Sequence, residues 1–534
     1  MPRSSFLSAF VLLLVAAPSL RAQSPAPQHS LPRIEQRDGH YALIVDGAPF
    51  LMLGAQVMNS SAWPAMLPQV WPAIEDLHAN TVEMPIYWEQ FEPSPGRYDD
   101  SVLRTLLAQA RQHKVHLALL WFGTWKNGSP HYTPAWIKLD NARYPRVVCS
   151  DGRTMDSLSP LFPATLAADR TAFVAFLRAL KADDPQHTVL MVQVENETGT
   201  WGCVRDFSPT AQKLFAAPVP QELIAGLHKQ PGTWQQVFGE EADVAFHAWH
   251  VARFVGEIAA AGKAIDPLPM YANAALRPIN GKPGSYESGG PTDNVLDIWK
   301  IAAPAIDVLS PDIYDPAYAD YTRYLDFYSR PDNPLFVPET GNAPPYARYF
   351  FAAVGHGAIG FSPFGMDFTG IRNEPIGQPH LDKEALAPFT LNYEIAASAD
   401  REFAQLNLEG KLQGVSESPG DHRQTLDFGA WHATVAYGMP TFGNGKEPTG
   451  NPQPDGGALI GQLGPNEFLV AAVHARVDFI PVNPSQQRQF IRAEEGRYEN
   501  GAWHFLRVWN GDQTDYGLNF TSAPQLLRVT LATY

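Results

Sequence analysis

The sequence predicts an α/β fold, a (β/α)8 TIM barrel followed by a smaller antiparallel β domain. Three observations carry this. Eight short apolar runs recur between Phe50 and Phe364. Each is continuous in apolar residues rather than strictly alternating, as in parallel strands buried on both faces. Beyond Leu406 the pattern changes to strand-like segments separated by Gly, Asn and Pro turns.

The eight runs are Phe50–Gln56, Thr81–Trp88, Val115–Phe122, Thr188–Glu197, Leu268–Asn273, Ile306–Tyr314, Leu335–Glu339 and Ala358–Phe364. Helical periodicity fills several of the gaps, as in Leu103–His113, Thr171–Lys181 and Val244–Ala261. Eight strand–helix repeats over about 350 residues suit a barrel with long loops, whose chemistry gathers at the C-terminal strand ends. Those ends carry Gln56, Tyr87–Trp88, Phe122–Trp125, Asn196–Glu197, Asn273, Asp312–Tyr314, Glu339 and Phe364–Asp367. A ring of carboxylates, amides and aromatics is therefore expected at one mouth. An open parallel sheet is the weaker alternative, since no Gly-rich phosphate loop opens any helix. In the last part of the chain, Asn500-Gly501 between Arg497–Tyr498 and Trp503–Phe505 predicts a hairpin.

The chain has 534 residues, of which 18% are charged and 45% hydrophobic, the composition of a folded globular protein. Its net charge of −16 disfavours nucleic acid as a partner. Residues 1–22 read as a secretory signal peptide: Arg3, then an apolar stretch from Phe6 to Ala17, then Pro18-Ser19 and a small residue at Ala22. The expected location is periplasmic or secreted, with no membrane span in the mature chain. The predicted organisation continues with a flexible leader over 23–31, the catalytic barrel over 32–405 and the β-rich domain over 406–534. The two cysteines, Cys149 and Cys203, suit one disulfide or two buried thiols equally well. No CxxC or HExxH occurs and the sixteen His show no ligand-like spacing, so neither metal nor cofactor is expected.

Two glutamates carry the predicted chemistry. Glu197 follows Asn196 at the end of the fourth run, and Glu339 closes the seventh, nearly opposite across a barrel. A carboxyl pair so placed can hydrolyse a glycosidic bond, one member protonating the leaving oxygen and the other attacking the anomeric carbon. Seven of the thirteen Trp fall between Trp63 and Trp201, and aromatic rings beside polar groups suit a sugar cleft or a packed core.

The segment VQVENETG, Val192–Gly199, resembles the acid/base motif of glycoside hydrolase family 35, the retaining β-galactosidases. Asn80–Asp99 resembles that family's second-strand block at Asn80, Trp88, Glu92-Pro93, Gly96 and Tyr98, and Pro134-Ala135-Trp136 matches a further element. The resemblance spans most of the first 370 residues. It implies Glu197 as general acid/base and Glu339 as nucleophile. The chain departs from the family at Pro85, at Thr124 where relatives often carry a sugar-binding Glu, at Thr198 where the motif has Tyr, and at Thr340-Gly341 after Glu339. The resemblance is to a divergent bacterial branch with a small C-terminal β domain, which implies galactosyl side chains of plant polysaccharides such as xyloglucan as substrate.

Around the two glutamates, Asn196 is the expected ligand of the sugar 2-hydroxyl and Tyr314 the expected partner of the nucleophile. Trp125, Asn127 and Trp88 are further expected sugar contacts. Glu195 is expected to support the site, and Glu83, Glu89 and Glu92 are expected in structural or solvated rather than catalytic roles. Other retaining glycosidases of the same architecture (arabinosidase, glucosidase or endo-glycanase) and a catalytically silent carbohydrate-binding protein are the competing readings. The presence of both Glu197 and Glu339 argues against the silent one.

Overall fold

The computed structural model describes residue 1 and residues 30–373, 376–438 and 448–534. The expected signal peptide and most of the leader lie outside the described residues.

The eight-stranded parallel barrel is present. Its strands are Met52–Gln56, Thr81–Tyr87, His116–Lys126, Val189–Asn196, Met270–Ala275, Val308–Ile313, Glu339–Thr340 and Gly360–Phe361, the first seven each paired with the next in that order and the eighth paired with the first. The ring closes twice over: Gly360 and Phe361 pair with Met52 and Leu53, and Val337 bridges Phe361. The seventh strand is short because Pro334 and Pro338 flank the segment and remove two amide donors. The apolar strand residues are buried on both faces, as continuous runs rather than alternating ones require.

Helices clothe the barrel. Ser101–His113 buries Val102, Leu103, Leu106, Leu107 and Ala110, one face at helical spacing, and Lys114 closes it in the left-handed conformation. The two longest, Pro163–Asp183 and Ala242–Lys263, pack on each other. A three-stranded antiparallel sheet, Arg33–Arg37, His40–Val45 and Ala48–Phe50, precedes the first barrel strand. The sequence offered its last strand only as the start of the first barrel run.

From Leu412 onward the chain forms a six-stranded and a four-stranded antiparallel sheet around a second core that includes Trp431, Phe468, Phe479 and Leu527. The Asn500-Gly501 hairpin joins Arg488–Glu499 to Ala502–Val508. Both turn residues have positive φ, 52° and 75°, as a two-residue turn matched to strand twist demands. Phe351, in a barrel helix, packs against Gly457, whose missing side chain lets the two cores meet.

Cys149 and Cys203 form a disulfide, Cα atoms 5.5 Å apart and 54 residues apart in sequence. Replacing both with Ser is expected to destabilise the fold by about 4 kcal/mol, the loop-closure value for that separation. Chemical denaturation of the variant and the wild type measures this difference.

Candidate active site

The strand ends converge as expected at the C-terminal mouth, on a cavity of about 710 Å³ lined by Lys126, Asn127, Glu197, Asp312, Tyr314 and Glu339 among others. This is several times what one hexose ring fills.

Glu339 is held by three donors from three other strand ends. Its Oε1 accepts from Gln56 Nε2 at 2.9 Å and from Asn196 Nδ2 at 3.2 Å, and its Oε2 accepts from the Tyr314 hydroxyl at 2.8 Å. The carboxylate is thus fixed in position and its negative charge is solvated by neutral groups. Tyr314 occupies the place expected of it. Asn196 touches Glu339 through its amide nitrogen, while its Oδ1 has no partner.

Glu197 sits just past the fourth strand with φ at +42°, and Glu195 within the strand has φ at +65°. Two non-glycine residues in the left-handed region are costly, and such strain concentrates at functional sites. Here it has a geometric result: the two carboxyls diverge. Glu195 turns away from the mouth, where its Oε2 accepts from the Trp125 amide at 2.7 Å beside Asp169. Asp169 also takes the Trp121 indole and the amide and hydroxyl of Thr124. Glu197 faces the cavity, its amide donating to Asn273 Oδ1 at 3.0 Å. Asn273 in turn donates to Asp312 Oδ2 at 2.6 Å, so one amide sets two carboxyl-bearing elements.

One carboxyl oxygen from each of Glu197, Asp312 and Glu339 lies within 4.8 Å of the other two. Among the described residues this is the group spaced to admit a cation. Burial pushes Glu197 up to about 7, against the pull of Lys126 and with a further push from Glu339. Asp312 is held well above the carboxylate range by burial and then by the charges of Glu339 and Glu197.

Trp88 and Trp125 are not sugar contacts. Trp88 is wholly buried, its indole donating to Glu92 Oε2 at 2.9 Å among Trp121 and Trp136. Trp125 is equally buried against Phe254, with Ser157 near its indole nitrogen. The reason is a bulge: the third strand inserts residues 122–125 between its pairings of Trp121 with Val194 and of Lys126 with Asn196. That insertion turns Thr124 and Trp125 outward and leaves Lys126 and Asn127 at the mouth. Asn127 lines the cavity as expected, with its Oδ1 against Lys126 Nζ.

Two groups, Lys126 and Glu287, carry no signal in the sequence, and two more, Asp312 and Glu83, stand in the predicted runs with no part in the predicted chemistry. Lys126 lies inside an apolar strand, and Asp312 in a run that gives no hint of its neighbours. Glu287 stands in a Gly/Ser-rich loop yet is fully buried next to Glu197. Glu83 is buried among the barrel strands, accepts from the Tyr271 hydroxyl at 2.7 Å, and is pushed by burial to about 8.

These raised carboxyls have a consequence for stability. The folded chain keeps protons on Glu83, Glu197, Glu195, Glu287 and Asp312 that the unfolded chain releases near the ordinary value of 4.5 for Glu and 3.8 for Asp. Where the folded state binds more protons, stability falls as pH rises. The melting temperature is therefore expected to drop as pH rises from 6.5 through about 8, across the values of about 7 for Glu197 and about 8 for Glu83; below 6.5 the lowered His247 and His250 act in the opposite sense. Calorimetry across that range checks it, and a flat or rising profile would contradict the assignment.

Residues 389–521 match a family model described as a domain of unknown function, DUF5597. The match begins inside the helix Lys383–Ala397 and ends just after the strand Leu518–Phe520. No curated protein matches the chain. Among solved structures, the β-galactosidase from Bacillus circulans sp. alkalophilus aligns with a TM-score of 0.48 at 14% identity, over 66% of this chain and 57% of that one. The β-galactosidase from Rahnella sp. R3 aligns at 0.47 and 18%, over 67% and 58%. The exo-β-1,4-mannosidase Op5Man5 from Opitutaceae bacterium strain TAV5 aligns at 0.43 and 16%, over 69% and 63%. This chain spans roughly three fifths of the length of each of these structures.

Proposed function

We propose that the chain is an exported, exo-acting retaining β-galactosidase of glycoside hydrolase family 35, working on galactosyl side chains of plant polysaccharides such as xyloglucan. The observation that carries the reading is the spacing of the carboxylates. One carboxyl oxygen of Glu197 lies within 4.8 Å of one of Glu339, a closest approach that suits the carboxyl separation of about 5–5.5 Å of enzymes in which one carboxylate attacks carbon directly, rather than the about 6.5–9.5 Å that leaves room for a water.

In the first step a Glu339 oxygen attacks the anomeric carbon, the glycosidic C–O bond breaks, and the Glu197 proton passes to the leaving oxygen. In the second, Glu197 takes a proton from water, the hydroxyl adds to the anomeric carbon, and the ester bond to Glu339 breaks. Gln56, Asn196 and Tyr314 orient the Glu339 carboxylate, and Asn273 sets the backbone from which Glu197 projects. A panel of aryl glycosides tests the sugar assignment. The β-galactoside is expected to be cleaved fastest, and preference for a glucoside, arabinoside or mannoside would replace galactose while leaving the two-step chemistry in place.

A further inference from the structure

The bulge in the third barrel strand is held from behind by two carboxyls. Insertion of residues 122–125 takes the Thr124 and Trp125 amides out of the strand ladder. The Thr124 amide donates to Asp169 Oδ2 at 2.9 Å, and the Trp125 amide donates to Glu195 Oε2 at 2.7 Å. Asp169 comes from the helix Pro163–Asp183 and Glu195 from the fourth strand, so a helix, a strand and the bulge meet at this pair. Gly123 makes the approach possible. A Cβ there would stand 2.6 Å from Glu195 Oε1, 2.8 Å from Asp169 Oδ2 and 2.5 Å from the Trp121 indole nitrogen.

Both carboxyls are fully buried, and two bare carboxylates facing each other away from water would repel strongly. Their hydrogen bonds are unequal. Asp169 accepts three, from the Thr124 amide, from the Thr124 hydroxyl at 2.5 Å and from the Trp121 indole at 2.8 Å. Glu195 accepts from the Trp125 amide, and its Oε1 receives no hydrogen bond. Three donors favour the ionised form at Asp169, so the proton of the pair falls to Glu195. Burial first, and then the Asp169 carboxylate facing it, hold Glu195 well above the usual carboxylate range.

Just past the bulge, Lys126 pairs with Asn196 and lines the mouth, where its charge opposes the rise of Glu197. Glu339, Asp312 and Glu287 are the other titratable groups facing Glu197 there. We propose that Glu195 and Asp169, joined through one proton, are positioning residues that lock the bulge and so hold Lys126 beside Glu197. The kinetic consequence rests on the glycosidase reading; the shared proton does not.

Infrared difference spectra of the wild type against Glu195→Gln at neutral pH test the proton. The wild type is expected to show a protonated-carboxyl band that the variant lacks, and absence of that band would overturn the pair. Kinetics on an aryl β-galactoside with a poor leaving group test the positioning. Glu195→Ala is expected to lower kcat/KM by about tenfold or more. It should also move the alkaline limb of the pH profile upward by about half a pH unit or more, as the loosened bulge withdraws Lys126 from Glu197. Glu195→Gln should restore both, since its amide donates to Asp169 as the proton would and its oxygen keeps the Trp125 amide. Adding Glu195→Ala to Lys126→Gln should move the limb no further than Lys126→Gln alone. A limb left in place by Glu195→Ala, a Glu195→Gln no better than the alanine, or additive shifts in the double variant would overturn the positioning role. A wild type that cleaves no aryl glycoside would overturn the glycosidase reading and the positioning role with it, while the infrared band still decides the carboxyl pair.

Discussion

Glu339→Ala is expected to lose turnover by about 10⁴-fold or more, and Glu197→Ala by about 10²–10⁴-fold on substrates with a poor leaving group. The two losses should differ in kind. An activated aryl leaving group departs with little acid help, so Glu197→Ala should still form the glycosyl–enzyme and stall at its hydrolysis. Azide needs no base. It should release that intermediate as the β-galactosyl azide. In Glu339→Ala the cavity left by the carboxylate admits azide to the opposite face of the sugar, and the product should be the α-azide. Kinetics with and without azide, and NMR of the product, check both. Near-normal turnover in either variant would remove that residue from the mechanism. Asp312, within 4.8 Å of both, would be the first replacement to try.

A comparably large effect is expected on proton affinity. Burial first, and then the Glu339 charge, raise Glu197 to about 7, while Lys126 opposes them. Activity that needs protonated Glu197 should therefore decline as pH climbs through about 7. Lys126→Gln removes the opposing charge and should move the alkaline limb upward. Esterification of Glu339 abolishes its charge, so Glu197 should titrate lower in a fluorosugar-trapped enzyme than in the free one. That fall suits its change from acid to base. Carboxyl NMR titration of the two forms measures it. An identical midpoint in both would show that the Glu339 charge does not reach Glu197.

Much of this arrangement was legible in the sequence, for identifiable reasons. Continuous apolar runs report burial on both faces, and so all eight barrel strands could be read from them. The ends of those runs report the mouth, which is how Glu197, Glu339 and Tyr314 were reached. The errors fall where a strand departs from regular pairing. The inserted residues 122–125 reverse which side chains face the cavity, and so Trp125 lies outside while Lys126 lies within. Trp88 belongs to a matching motif, but the motif serves packing on Glu92. Glu195 and Glu197, two apart, would share a face of a regular strand. Their positive φ angles separate them. Glu287 and Trp201 come together only through a bridge between two long loops, a pairing with no periodic signature.

The central claim is that Glu339 forms a covalent bond to the sugar while Glu197 manages the proton. Incubation with a 2-deoxy-2-fluoro-β-galactosyl donor bearing a good leaving group, followed by peptide mass spectrometry, tests it most directly. One fluorogalactosyl group per chain is expected, on the peptide containing Glu339, with loss of activity in step with labelling. A label on Asp312 or Glu197, or continued turnover with no labelled peptide and release of the α-anomer, would contradict the account.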